Sequence, residues 1–160
     1  MSQRAEALAA RIEEGAAGLA TFAEQLSDAE WRTPVPRDGR TIGVVVHHVA
    51  SVYPIEIDLA RTIAGGKAVA DVTWGVVAEL NAKHAREHAG VKKAEALDLL
   101  RRNSQQAAAA VRAFSDAELD RAAPFSLSFH APVTAQFVVE DHALRHSWHH
   151  LARIRGALGR

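Results

Sequence analysis

Histidine is the residue type that stands out in this sequence of 160 residues. The chain has nine histidines, and five of them form two short clusters: His47 with His48, and His146 with His149 and His150. His146 and His150 are four residues apart, so on a helix they occupy one face, one turn apart. Two imidazoles in that arrangement can share a metal ion, as H-x-x-x-H pairs do.

The pattern predicts a site for one divalent metal ion. On a helical wheel, His48 falls on the apolar stripe of one helix, and His146 and His150 border the apolar arc of another. Three protein ligands leave a coordination position open, which is typical of a catalytic rather than a structural site. The alternative stays open, because a single inward-facing histidine is most often a hydrogen-bonded core residue, and H-x-x-x-H spacing is only moderately specific.

Three further residues are candidates around this centre. His142 and His149 lie on the same side of His146, away from His150, and could support the ligands, although the wheel directs His149 toward water. Glu56 lies on the apolar side of the helix that carries His48. It could orient a ligand or act as a general base, but a rim position with the carboxylate in water is the commoner outcome.

The remaining histidines are expected to be inert. The wheel places His47 beside polar residues, which predicts a solvated side chain. His84 and His88 form a second pair four residues apart, yet their charged neighbours favour a solvated face. His130 falls in a loop and is expected to be structural or exposed.

Several other chemistries are excluded by missing motifs. No glutamate has a histidine three residues later, as di-metal bundles require, and the H-E-x-x-H protease motif is absent. The chain has no cysteine, no phosphate-binding glycine loop and no nucleophile elbow around a serine. Nineteen basic and nineteen acidic residues give a net charge of zero, without the basic balance of a nucleic-acid binder.

Hydrophobic periodicity predicts the elements that must position these residues. Pro and Gly mark loops between the helices, and Pro54 is expected to kink the second one. Residues 124–132 form an irregular crossover, in which the alternation of Phe125, Leu127 and Phe129 suggests a short extended stretch. The helices are expected at 4–26, 41–64, 73–88, 93–114 and 134–158, with a short turn at 115–119.

These elements predict an all-α four-helix bundle with a short additional helix and an irregular crossover before the last helix. The length favours one domain over residues 1–160. No apolar run long enough for a membrane span and no signal peptide are evident, so we expect a cytoplasmic protein without membrane partners.

Two segments resemble motifs of the DinB-like (DinB/YfiT) superfamily. Residues 41–50, TIGVVVHHVA, are similar to that family's helix start with one metal-binding histidine, and the second of the two histidines fits best. Residues 146–154, HSWHHLARI, are similar to its H-x-x-x-H motif, which is followed by Gln-Ile in the family. Arg153 stands where that glutamine is common, which would change the mouth of the pocket.

The resemblance implies a left-handed four-helix bundle with His48, His146 and His150 around one zinc, nickel or iron ion. It also implies a homodimer and a small-molecule substrate. Family members of known activity are thiol-dependent S-transferases and isomerases that use a low-molecular-weight thiol as co-substrate, and an open metal site could equally serve a hydrolase. The alternatives are a non-catalytic, stress-related metal or small-molecule binder, or a helical dimerisation module with inert histidines.

Overall fold

Hydroxyl side chains mark where most helices begin. Ser2, Thr41, Thr73 and Thr134 each accept a hydrogen bond from a backbone N–H of the first turn, which satisfies a donor that the helix leaves free. The computed structural model describes all 160 residues. Its elements in chain order are α1 (Gln3–Glu24), α2 (Asp28–Trp31), α3 (Ile42–Ala64), α4 (Trp74–Glu87), α5 (Lys93–Arg112), α6 (Asp116–Asp120), β1 (Ala122–Phe125), β2 (Ala131–Thr134), α7 (Ala135–Val138) and α8 (Arg145–Ala157).

The body of the molecule is a four-helix bundle, as predicted. Helices α1 and α3 occupy one diagonal, because each packs against α5 on one side and against the helix formed by α7 and α8 on the other. Helices α7 and α8 are joined by a π-helical segment, Val139–Leu144, which was not predicted. Such segments shift the helical register and are frequent at functional sites.

Helix α3 runs through Pro54 without interruption. A proline has no N–H, so the carbonyl of Ala50, four residues earlier, loses its regular donor. The side-chain amide of Asn103 on α5 replaces it, with Nδ2 2.8 Å from the Ala50 oxygen. The hydrogen bond explains how a proline is tolerated in the most buried helix of the bundle.

The predicted crossover contains a small antiparallel hairpin. Strand β1 pairs with β2 in a register that sets Ala122 opposite Thr134 and Phe125 opposite Ala131. A single 3-10 turn, Ser126–Ser128, connects the strands. The extended stretch expected around Phe125 therefore exists, but it ends at that residue.

Helix α3 is also long and apolar enough to span a membrane by length and composition, with a mean hydropathy of 1.3 over its best window. The prediction that no apolar run is long enough for a membrane span is therefore wrong by this criterion. In the structure, 67 % of that window is buried among the other helices. A core helix of a soluble bundle meets the same criteria, and the burial explains the apolar composition.

Candidate metal centre

The start of α3 is fixed by a close contact between Gly43 and Trp31. A Cβ atom on Gly43 would lie 2.4 Å from atoms of the Trp31 ring, so only glycine permits this approach. The Trp31 indole N–H donates to the Val91 carbonyl at 3.0 Å, which ties the loop before α5 to the same point. Trp31 is 7 % exposed and belongs to the hydrophobic core.

A buried polar contact sets the position of α8 against α3. The Tyr53 hydroxyl lies 2.9 Å from the Ser147 hydroxyl, and both side chains are almost fully buried. Ser147 follows His146 directly, so this contact holds the neighbouring turn of α8 next to α3.

The structure brings His48, His146 and His150 together. Their candidate ligand nitrogens all lie within 4.8 Å of one another. The Nε2 atoms of His48 and His146 are 3.2 Å apart. Two nitrogens bound to one tetrahedral zinc at about 2.05 Å would be about 3.3 Å apart, so the spacing of this pair fits a shared divalent ion.

Burial keeps two of these imidazoles in the form that binds metal. Removal from water lowers the pKa of His48 to about 2 and that of His150 to about 2, and the neighbouring His146 acts in the same direction. A neutral imidazole has a free nitrogen lone pair, whereas a protonated one has none. The side chain of His146 is 19 % exposed, so solvent contacts the cluster at His146.

Glu56 contacts the cluster from behind His146. Its Oε1 lies 2.8 Å from Nδ1 of His146, although the ring is turned so that the contact falls short of hydrogen-bond geometry. The residue is 7 % exposed, so the rim position considered for it is wrong. A carboxylate at the outer nitrogen of a ligand histidine fixes its tautomer and orientation.

The two supporting histidines predicted on α8 and before it differ in placement. His142 lies in the π-helical segment outside the cluster, with its ring centre 5.4 Å from that of Phe125 and the two rings perpendicular. His149 is exposed, as the wheel indicated, and its ring packs edge-on against His150 at 5.0 Å.

Arg40, which the sequence reasoning missed, places a positive charge beside the cluster. Its charge acts on both His48 and His150. Asp38 holds the guanidinium through Oδ1 at 2.6 Å from Nε, and its other oxygen lies 3.2 Å from Nη1 of Arg153. Nη1 of Arg40 is buried without a hydrogen-bond partner. Arg40 and Asp38 lie in the irregular segment before α3, where hydrophobic periodicity gives no signal.

The predictions for His47, His84 and His88 are wrong. His47 is 4 % exposed because α4 covers this side of α3, and His84 and His88 are half-buried against it rather than solvated. The three side chains form a second cluster whose candidate ligand nitrogens lie within 4.8 Å of one another. His130 is exposed in the hairpin turn.

Comparisons with known proteins agree with this architecture. No curated protein matches the sequence. A solved structure described as "YfiT from Bacillus subtilis is a probable metal-dependent hydrolase with an unusual four-helix bundle topology" matches with a TM-score of 0.77 and 21 % identity. The match covers 100 % of this chain and 89 % of that one, and at this identity it shows the fold. The model of the DinB superfamily matches residues 11–154, so the chain belongs to the DinB superfamily.

Proposed function

We propose that this protein is a metal-dependent enzyme acting on small molecules, with His48, His146 and His150 as the ligands of one divalent ion. The observation that supports this most strongly is the convergence of three imidazoles from two separate helices within 4.8 Å. A divalent ion with three histidine ligands keeps one position open, and it polarises a carbonyl or lowers the pKa of a bound water or thiol.

The protein's own groups have distinct parts in this proposal. His48 and His150 are buried and supply neutral nitrogens, and the partly exposed His146 marks the side from which substrate enters. Glu56 is a positioning residue: it contacts the Nδ1 atom of His146 and leaves Nε2 for the ion. The proton-carrier role predicted for Glu56 stays a prediction, since its contact lies on the outer side of a ligand.

Arg40 suggests the charge of the substrate. Its Nη1 is buried without a partner, and its charge acts on two of the three proposed ligands. A guanidinium with free N–H groups binds carboxylates and phosphates well. We therefore expect a substrate or co-substrate with an anionic group near the reacting centre.

Two reaction classes fit an open three-histidine centre. The first is thiol-dependent S-transfer or a related isomerisation, with a low-molecular-weight thiol as co-substrate. The second is hydrolysis, which the similar structure's description as a probable metal-dependent hydrolase also suggests. The homodimer and the cytoplasmic location stay predictions.

Metal content and turnover test the proposal in sequence. Protein purified without a histidine tag is stripped, loaded with zinc, nickel or iron, and compared with His146→Ala and with the exposed-loop control His130→Ala. We expect loss of one ion only in His146→Ala. Loaded protein is then assayed with thiol–electrophile pairs and with esters and amides.

Each alternative has its own outcome in this test. No bound metal in any form would leave a helical dimerisation module with inert histidines. Bound metal without turnover across the panel would favour a non-catalytic metal or small-molecule binder. Turnover that needs the thiol selects S-transfer or isomerisation, and turnover without it selects hydrolysis.

A further inference from the structure

A second group of three histidines lies on the other side of α3. His47 projects from α3, His84 lies in the last turn of α4, and His88 is the residue that caps the end of α4. Nδ1 of His47 and Nε2 of His84 are 2.8 Å apart, and the ring centres of His47 and His88 are 4.1 Å apart. All three side chains offer a ligand nitrogen within 4.8 Å of the other two.

We propose that His47, His84 and His88 bind a second divalent metal ion, of the borderline class that imidazole prefers. This site shares no ligand with the first one. It also does not depend on the proposed enzymatic function, because its three side chains meet whether or not the other triad is loaded.

The distances are compatible with one ion after a small adjustment. Nitrogens on a tetrahedral zinc are about 3.3 Å apart, so His47 and His84 would separate by about 0.5 Å from their hydrogen-bonded spacing. His84 belongs to a helix without any buried residue, and His88 caps the end of that helix, so both side chains can move without disturbing the core.

A purely structural role accounts poorly for this cluster. Helix α4 meets the bundle mainly through α3, and imidazoles rather than apolar side chains form this part of the contact. Three imidazoles offer several donors and acceptors, yet only one hydrogen bond joins them, between Nδ1 of His47 and Nε2 of His84. An ion would satisfy one nitrogen of each ring at once.

The two proposed sites are neighbours on α3. His47 and His48 are consecutive, so their side chains point about 100° apart on the helix, one toward α4 and one toward α8. The ring centres of His48 and His84, one from each triad, are 5.7 Å apart. A second ion would therefore lie beside the first and would hold α4 against α3.

The stoichiometry of metal binding tests this inference. Untagged, metal-free protein is titrated with zinc by calorimetry, and bound zinc is counted by elemental analysis after gel filtration. We expect two ions per chain in the natural sequence and in the control His130→Ala. We expect one in His84→Ala/His88→Ala and one in His146→Ala/His150→Ala.

Hydrogen exchange of residues 74–87 gives a second readout, which reports on α4 directly. Movement of α4 away from α3 would separate the three ligands and release the ion, so bound zinc should slow local exchange by about 100-fold at a free zinc concentration of 100 Kd. Protection should appear in the natural sequence and in His146→Ala/His150→Ala, but not in His84→Ala/His88→Ala.

The outcomes separate the two sites. The second site is overturned if His84→Ala/His88→Ala keeps every ion that the natural sequence binds, or if zinc binds without protection of α4. If His146→Ala/His150→Ala keeps every ion that the natural sequence binds while His84→Ala/His88→Ala loses one, the first site fails and the second stands.

Discussion

The Oε1 atom of Glu56 lies 2.8 Å from the Nδ1 atom of His146, on the far side of that ring from the nitrogen that faces His48. The contact joins a buried carboxylate to the proposed ligand that is most exposed to solvent. A carboxylate in this position favours the imidazole tautomer whose Nε2 carries a free lone pair. The strength of metal binding should therefore depend on Glu56, although it is not itself a ligand.

Glu56→Gln should weaken metal binding by about 10–100-fold, the usual loss when such a supporting carboxylate is removed. The helical content should not change, because glutamine fills the same space. Competition with a chromophoric chelator gives the affinity. Asp58→Asn is the matched control, because its carboxylate on the same helix is 73 % exposed. Equal affinities for the two variants would contradict the orienting role.

Gly43→Ala should lower the free energy of unfolding by about 1–3 kcal/mol, the usual cost of overpacking. The new methyl group would lie 2.4 Å from the Trp31 ring, so α3 or the indole must move. Urea denaturation measures the change.

Gly156→Ala is the control for the Gly43 experiment, because nothing lies within 4 Å of a Cβ at that helical position. There alanine should stabilise the protein by up to about 1 kcal/mol through helix propensity. A similar response of both variants would show that the Trp31 contact does not restrict residue 43.

The sequence was sufficient for the helices and for the first histidine triad. Periodicity located every long helix to within about two residues, because all of them except α4 bury an apolar stripe. The helical wheel predicted the wrong exposure for His47, because it describes one environment for a whole side of α3. The polar residues on that side, Asp58 and Arg61, are exposed, but the first half of the helix is covered by α4.

Hydrophobic periodicity could not predict irregular segments or contacts between residues that are distant in the sequence. The wheel for the last helix assumes regular α-helical turns, and the π-helical segment at Val139–Leu144 changes the direction of His142. Arg40 and Asp38 lie in an irregular segment without periodicity. The burial of Glu56 follows from packing between α3 and the α7–α8 helix, which no local pattern reveals.

Asn103→Ala should cost about 1–3 kcal/mol, because the Ala50 carbonyl would be left buried without its donor. The same change should cost less in a Pro54→Ala background, where residue 54 regains an N–H for that carbonyl. A double-mutant cycle by urea denaturation measures the coupling. Additive effects would mean that Asn103 stabilises the protein for another reason.

Metal-free protein should lose stability as the pH falls below about 6.5. In the folded state, burial holds the pKa of His48 and of His150 at about 2, against 6.5 for an ordinary histidine. Between pH 6.5 and pH 2 the unfolded chain therefore binds more protons than the folded chain. The contribution of the neutral histidines to the free energy of unfolding is complete above pH 6.5 and is lost toward pH 2. At pH 5 the loss is on the order of 2 kcal/mol for each residue.

Neighbouring positive charges act on the pKa of His48 in the same direction as burial. His146, Arg40 and His84 face His48, and each lowers the pKa of that imidazole further when charged. Chemical denaturation in a chelator at pH 7.5, 6 and 5 measures the slope. The double variant His48→Asn/His150→Asn should show a smaller loss between pH 7.5 and 5. An equal slope in both proteins would assign the acid sensitivity to other groups, since asparagine does not titrate in this range.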